Sequence, residues 1–413
     1  MKKILLMDTL SAIHVGNGAL LENTINLCRK AFGDCEFLII TGDVETNKQR
    51  YTNLYNPMFG RFWIGLGKTG KIFWALKQSF FMLLHIINEN TLKITSEKIT
   101  FNDDQKNAFR VIEQADICVS CGGEVIGDTY FQALPFWLFT YWIAIKKGKK
   151  FILFPQSVGP LKMLWTRILV RLAIKNASLL AGRDKPSYET LLSLGFEKEK
   201  VLFAPDVAIW QETGTADITH YFTDKQKKII GVTISNPPFR EMGVTADFVQ
   251  IIGEQLEKFD PAIYKILIMP SNYILNGISE DYDICLKLKD RLSNTFDTSI
   301  LENRPYFPDE YIALLSQLEL FITTRMHVAI LSTTAFIPTI AINTQHKIRG
   351  YMQNIDMNQF CLEYSELDNV YKLANEIISE RNIIIANLKT ANNKLKSEHE
   401  LFIQKLKKLY NDK

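Results

Sequence analysis

The chain has 413 residues, 47% of them hydrophobic and 23% charged, with a formal net charge of +3. That length exceeds what one core usually organises and points to two domains of a soluble globular protein. The small net charge gives no electrostatic footprint for nucleic acid.

The opening run, Lys3–Met7, reads as a buried strand and is too short for a signal peptide. The six cysteines form no disulfide framework. An intracellular, cytoplasmic location is therefore expected. Cys118-Val-Ser-Cys121 has C-x-x-C spacing but no second ligand pair nearby, so a buried thiol pair is the simpler reading than a zinc site.

Strand-length apolar runs alternate with longer helical patterns, which argues for parallel sheets with crossover helices. The first half offers Lys3–Met7, Glu36–Thr41, Ile117–Ser120, Phe151–Phe154, Leu179–Ala181 and Val201–Phe203. Each of several ends in a distinctive loop. After the first comes His14-Val-Gly-Asn17-Gly-Ala-Leu20. After Ser120 comes a glycine-rich loop with Gly122, Gly123 and Gly127-Asp128; it departs from G-x-G-x-x-G, so it carries no dinucleotide fingerprint. After Phe154 a turn holds Gln156, Ser157 and Gly159, whose backbone N–H groups either face an oxyanion or serve an ordinary strand-to-helix turn. After Ala181 comes Arg183, then Asp184 as a helix N-cap and Pro186 in the first turn.

Two segments raise the question of a membrane. Thr129–Ile145 is uncharged and aromatic, and reads either as a buried helix or as an interfacial one. In Lys162–Lys175, Arg167, Arg171 and Lys175 recur every four residues on one helical face. Peripheral contact with a membrane is the functional alternative to a core helix beside a solvated one.

Residues 211–228 are polar, lack a strong apolar period and serve as a linker. The second strand series is Ile229–Ser235, Lys265–Met269, Leu320–Thr323 and Thr339–Ile342. Between its last two members lies Thr323-Thr-Arg325-Met-His327, opening an apolar helical run. Ligands of open α/β sheets bind outside the carboxyl ends of strands, where the next helix begins. There an Arg and a His would offer an anionic substrate a fixed cation and a titratable group. The alternative is a structural Arg paired with a carboxylate and a core His. Lys347 follows the next strand in Asn343-Thr-Gln-His-Lys347-Ile-Arg349, with His346 and Arg349 as possible substitutes for it. Residues 366–413 become helical and basic, which suits a packed terminal helix or one touching anionic lipid.

Four segments in order resemble the polysaccharide pyruvyl transferase family: Gly122–Asp128, Pro155–Pro160, Gly182–Ser187 with Ala204-Pro-Asp206, and the Arg325-x-His327 segment. The likeness covers roughly residues 1 to 365. It implies an α/β fold of two Rossmann-like domains facing a cleft, similar to the GT-B arrangement. The boundaries would be 1–210 for an N-terminal acceptor-side domain, 211–228 for the linker, 229–365 for a donor-side domain and 366–413 for the terminal segment.

The implied reaction moves the pyruvyl group of phosphoenolpyruvate onto a sugar of a cell-surface polysaccharide precursor, forming a pyruvate ketal. His327 and Arg325 would be catalytic, with Arg183, Lys347, Gln156, Ser157, Gly159, Gly122, Gly123 and Asn17 binding substrates. The sequence does not assign the group that takes the acceptor protons; Asp206 and Glu124 are the candidates. No cofactor is expected beyond the donor, and no D-x-D or other metal cluster is legible. The partners implied are a sugar or lipid-linked glycan acceptor and no nucleic acid. The rival reading is a GT-B glycosyltransferase or other sugar-nucleotide enzyme.

Overall fold

A computed structural model describes every residue except 13, 61–65, 216–220, 222–225, 236–246, 274–280, 345 and 412–413. The chain divides into two compact units. Unit 1 is Met1–Ser11, Leu20–Asp206 and Glu398–Lys413; unit 2 is Ala12–Ala19 and Val207–Ser397.

Unit 1 holds β1 (Lys2–Thr9), β2 (Cys35–Thr41), β3 (Leu54–Tyr55), β4 (Ile117–Ser120), β5 (Lys150–Gln156), β6 (Leu179–Gly182) and β7 (Val201–Phe203). Its helices are most of α1 (Val15–Phe32), then α2 (Val44–Asn47), α3 (Lys68–Ile87), α4 (Asp103–Gln114), α5 (Leu134–Lys146), α6 (Leu164–Ile174) and α7 (Lys185–Ser193). The sheet order is β3-β2-β1-β4-β5-β6-β7, with every pairing parallel. Strands covered on both faces read as continuous apolar runs, and β5 is buried from Phe151 to Gln156. Leu5, Met7, Leu38, Ile40, Phe151 and Leu153 share one core with side chains of α3, α4, α5 and α6. Their neighbours Ile4, Leu6, Ile39, Ile152 and Phe154 are equally buried, as the period of two sends them to the other face.

Unit 2 holds β8 (Lys228–Thr233), β9 (Tyr264–Ile268), β10 (Thr298–Ile300), β11 (Leu320–Thr323), β12 (Thr339–Ile342) and β13 (Cys361–Leu362). Its helices are α8 (Phe248–Leu256), α9 (Tyr282–Leu292), α10 (Pro308–Leu315), α11 (Met326–Thr334), α12 (His346–Asn354), α13 (Val370–Ser379) and most of α14 (Arg381–Asn411). The order is β10-β9-β8-β11-β12-β13, again all parallel. Each sheet grows outward in one direction from its first strand and then restarts on the other side. The strand order therefore reverses between β1 and β4 in unit 1, and between β8 and β11 in unit 2.

All ten expected strands are present. The three others, β3, β10 and β13, are sheet edges of two or three residues. The division falls after Asp206 rather than at 211–228, and Tyr221, within that stretch, belongs to the core of unit 2; residues 216–220 and 222–225 lie outside the described residues. The terminal helix is shared. Ile384, Leu388 and Leu395 pack in unit 2, whereas Phe402 meets Phe154 and Tyr410 stacks on Phe32 in unit 1. Of the aromatic run Thr129–Ile145, Phe136, Phe139 and Tyr141 of α5 are core, Trp137 and Trp142 are half-buried, and Tyr130 and Phe131 ahead of the helix are exposed. Among the described residues no helix is long and apolar enough to cross a membrane.

Candidate active site

The carboxyl ends of β8 and β11 meet where unit 2 reverses its strand order. Ser235 and Thr324 join them: the Ser235 N–H donates to Thr324 Oγ1 at 3.0 Å, and the two hydroxyls lie 2.9 Å apart. Arg325 follows in extended conformation (φ −113°, ψ 124°) at the N-cap of α11, and its amide donates to Thr323 Oγ1 at 3.0 Å. His327 is the second residue of the helix. Both side chains are half-buried. The start of α11 thus carries a guanidinium at its cap and an imidazole two residues on.

The guanidinium is held from behind. Its Nε donates to Asp281 Oδ1 at 3.1 Å, and Nη2 donates to the same oxygen. Asp281 is fully buried just before α9, where its other oxygen accepts from Ser271 Oγ. The backbone N–H of Asp281 donates to Asn272 Oδ1 at 3.2 Å, and Asn272 Nδ2 lies 3.3 Å from His14 Nδ1. The segment Ala12–Ala19 packs with unit 2, and Val15 donates to the Ser271 carbonyl at 3.0 Å. Gly16 lies directly on His327: a Cβ there would fall on the Cβ of His327 and 2.8 Å from its Cγ. The glycine-rich loop after β1 thus sets the position of the imidazole. Asn17, expected to contact the acceptor, stands next to that contact in the first turn of α1.

Lys347 is half-buried in the first turn of α12. Because β11 and β12 are parallel neighbours, their following loops are adjacent, and Thr344 Oγ1 donates to the Thr324 carbonyl at 3.0 Å. Arg349 does not substitute for Lys347. Its guanidinium bonds Glu363 at 2.7 Å, Asn358 at 3.0 Å and the Cys361 carbonyl at 2.9 Å. Beyond β9 and β10, a small depression is lined by Ser271, Asn272, Tyr282, Glu302, Arg304 and Tyr306, among others.

Unit 1 corrects several expectations. The Ser157–Gly159 turn offers no N–H groups to an oxyanion. Ser157 donates to the Gly123 carbonyl at 3.0 Å, Val158 to Ser187 Oγ at 2.9 Å and Gly159 to the Ile126 carbonyl at 2.7 Å. Gly122 (φ 94°) and Gly123 (φ 114°) serve that packing, since a Cβ on Gly122 would sit 2.8 Å from the Pro155 carbonyl oxygen. Arg183 is buried rather than presented to a ligand. It donates to Ser157 Oγ at 2.9 Å and to Asp206 Oδ2 at 2.8 Å, with both partners of the ion pair nearly inaccessible. Asp206 is therefore committed to Arg183, while Glu124 is half-buried. Asp184 caps α7 through the Ser187 N–H and also accepts from Ser157 Oγ. Asp128 fastens the turn into α6, accepting from Lys162 N, Met163 N and Thr166 Oγ1.

A different polar chain occupies the place where the unit 1 sheet reverses. Asp8, at the end of β1, accepts from Ser120 Oγ at 2.6 Å, Tyr141 Oη at 2.5 Å and Cys121 N at 2.8 Å. Gln156 Nε2 donates to Ser120 Oγ at 3.0 Å, and its buried Oε1 has no hydrogen-bond partner among the described residues. Burial raises the Asp8 carboxyl above the usual carboxylate range, and these hydrogen bonds only partly oppose it. An acid directly after an apolar strand was the sequence signal for Asp8. For Asp281 the signal was an acid directly before an amphipathic helix, which reads only as a cap. Burial pushes the Cys118 thiol up to about 12 and raises the Cys121 thiol well above its ordinary value, as for inert core thiols.

The polysaccharide pyruvyl transferase family model matches residues 14–346, so the chain belongs to that family. Lys347 stands one residue beyond the match. AmsJ, an amylovoran biosynthesis protein of Erwinia amylovora, is 23% identical over 267 residues, which is 62% of this chain and 63% of AmsJ. This chain thus spans less than two thirds of that relative. Among solved structures, HepE of Anabaena in complex with UDP and glucose aligns with a TM-score of 0.55 at 13% identity, covering 99% of this chain and 98% of HepE. The UDP-GlcNAc 2-epimerase of Neisseria meningitidis, bound to UDP-GlcNAc, aligns at 0.58 and 12% identity over 99% and 100% of the two chains. The fold is therefore the GT-B-like pair of parallel-sheet α/β domains expected from the sequence.

Proposed function

We propose that this family member transfers the pyruvyl group of phosphoenolpyruvate to two hydroxyls of a sugar in a polysaccharide precursor, with unit 2 binding the donor. The observation that carries this is Arg325 and His327 at the N-terminus of α11, where the unit 2 sheet reverses. A donor with a carboxylate and a phosphate calls for several cationic groups. Arg325, Lys347 and the N-termini of α11 and α12 supply them. Arg183, buried against Asp206, is left out of the donor set.

His327 donates a proton to the methylene carbon of the donor, which becomes the methyl group, and positive charge develops at the adjacent carbon. One acceptor hydroxyl oxygen bonds to that carbon and releases its proton. Phosphate then leaves with the C–O bonding pair, and the second hydroxyl closes the ketal. Of the two hydroxyl protons, one restores His327 and the other leaves with phosphate or solvent.

The structural relatives solved with UDP or UDP-GlcNAc favour one second reading: a sugar-nucleotide enzyme. Thermal shift separates the two. Stabilisation by phosphoenolpyruvate but not by UDP-glucose supports the pyruvyl transfer reading, and the reverse pattern overturns it. With a glycan acceptor, His327→Ala removes acceptor-dependent phosphate release while phosphoenolpyruvate still stabilises the protein. Near-normal turnover in that variant overturns the role of His327.

The acceptor is a glycan precursor carried at a membrane surface, so the enzyme works there as a peripheral protein.

A further inference from the structure

Two helices of unit 1 turn apolar side chains outward at helical spacing. In α3, Gln78, Phe81 and His85 are buried, while Ile72, Phe73, Leu76, Phe80, Leu83 and Ile87 on the other side are exposed, Phe73 to 73% and Leu76 to 65%. In α6, Val170, Ala173 and Ile174 are buried, and Leu164, Ile168 and Leu172 form an exposed stripe at intervals of four, with Leu172 at 62%. Both helices pack on α5. Trp74 of α3 meets Phe136 with ring centroids 5.0 Å apart, and α6 lies along α5. All three contribute to one core on one face of the sheet, so both stripes belong to the outer layer of that face. Single exposed leucines need no explanation, but two periodic apolar stripes on one layer do.

The charged residues carried on the two helices themselves have one sign. Lys68, Lys71 and Lys77 on α3 and Lys162, Arg171 and Lys175 on or beside α6 are exposed. No acidic residue occurs between Lys68 and Asn88 or between Thr129 and Arg183. A second copy of the chain seated on this face would bring like charges together. An anionic bilayer satisfies both features: apolar side chains enter the acyl boundary while lysine and arginine stems reach back to lipid phosphates.

We propose that the α3–α6 face of unit 1 docks reversibly on an anionic lipid surface, with both helices lying in the headgroup layer. This names the surface for the peripheral location given above and stands independently of the donor chemistry.

The test is flotation of the full chain with vesicles of phosphatidylcholine containing about one-third phosphatidylglycerol. The wild type floats with these vesicles at low salt and progressively less as salt screens the basic groups. Leu76→Glu combined with Leu172→Glu abolishes flotation. Arg171→Ser combined with Lys175→Ser weakens it roughly fivefold per charge removed. All four positions are exposed, so the unfolding temperature of each variant stays at the wild-type value. Stabilisation by phosphoenolpyruvate, read on the same samples, separates a failed docking surface from a failed donor site. The proposal is overturned if the wild type stays in solution at low salt, or if the Leu→Glu pair floats as well as the wild type. Flotation equal on phosphatidylcholine alone also overturns it, as does a wild-type dimer without vesicle binding that Leu76→Glu converts to monomer.

Discussion

Removing Arg325 would damage the fold as well as the chemistry, and the two effects can be separated. Asp281 is fully buried, and its charge is balanced by Arg325, whose side chain is 28% exposed. Arg325→Ala leaves a buried carboxylate with the Ser271 hydroxyl and no cation. Breaking a buried pair from one side costs about 3–5 kcal/mol, and the partial exposure of Arg325 favours the lower figure, ~3 kcal/mol. Unit 2 has about 200 residues, a size at which each kcal/mol moves the midpoint by roughly 2–4 °C. The expected drop is therefore about 6–12 °C for the transition of unit 2. Adding Asp281→Asn removes the orphaned charge while an amide oxygen still accepts from Ser271. The double variant then recovers most of the lost stability, while turnover stays abolished. Calorimetry and acceptor-dependent phosphate release on the four members of the cycle read both quantities. If Arg325→Ala melts with the wild type, or the double variant is no more stable than the single one, the pair does not hold the site as described.

Gly16→Ala places a methyl group on His327, so its imidazole shifts by about an ångström and kcat falls roughly a hundredfold, with donor stabilisation retained; an unchanged kcat removes the positioning role of the loop. His399, buried in unit 1, donates from Nε2 to the Pro205 carbonyl at 2.5 Å, and burial lowers its imidazole from 6.5 to about 4. The fold thus prefers the neutral ring. That contribution is complete above 6.5 and is lost as pH falls towards 4, about 3 kcal/mol in all. His399→Gln, compared with the wild type by thermal unfolding across that range, should lack this acid sensitivity; parallel curves count against it. Under the proposed reading, in which side-chain cations balance the donor, turnover should also persist in EDTA. Loss in EDTA that added metal restores is the contrary result.

What was legible in the sequence follows from the range over which each signal acts. The central strands show because a parallel strand covered on both faces must be apolar throughout. Edge strands such as Leu54–Tyr55 and Cys361–Leu362 are too short to leave such a run. Arg325 and His327 show because a strand end followed at once by a helix is a local pattern that fixes its own geometry. Their supports do not show, because they come from elsewhere in the chain. Asp281 lies 44 residues before Arg325, and Gly16 reaches His327 only through folding.

The polar residues of unit 1 carry the same lesson with the opposite sign. Arg183, Ser157 and Gly159 looked like ligand groups because they sit at strand ends, yet their partners are the neighbouring strand ends. Parallel strands deliver polar residues to one edge of the sheet, and there Arg183 meets Asp206 and Ser157 while the Gly159 N–H meets the Ile126 carbonyl. A strand-end position therefore marks where a site can be and not which residues remain for a ligand. Only partners separate the two cases. In unit 1, burial raises the Asp8 carboxyl, and the buried amide oxygen of Gln156 has no hydrogen-bond partner among the described residues. In unit 2, Arg325 stands apart because a fully buried carboxylate fixes it from one side while its side chain stays partly open on the other.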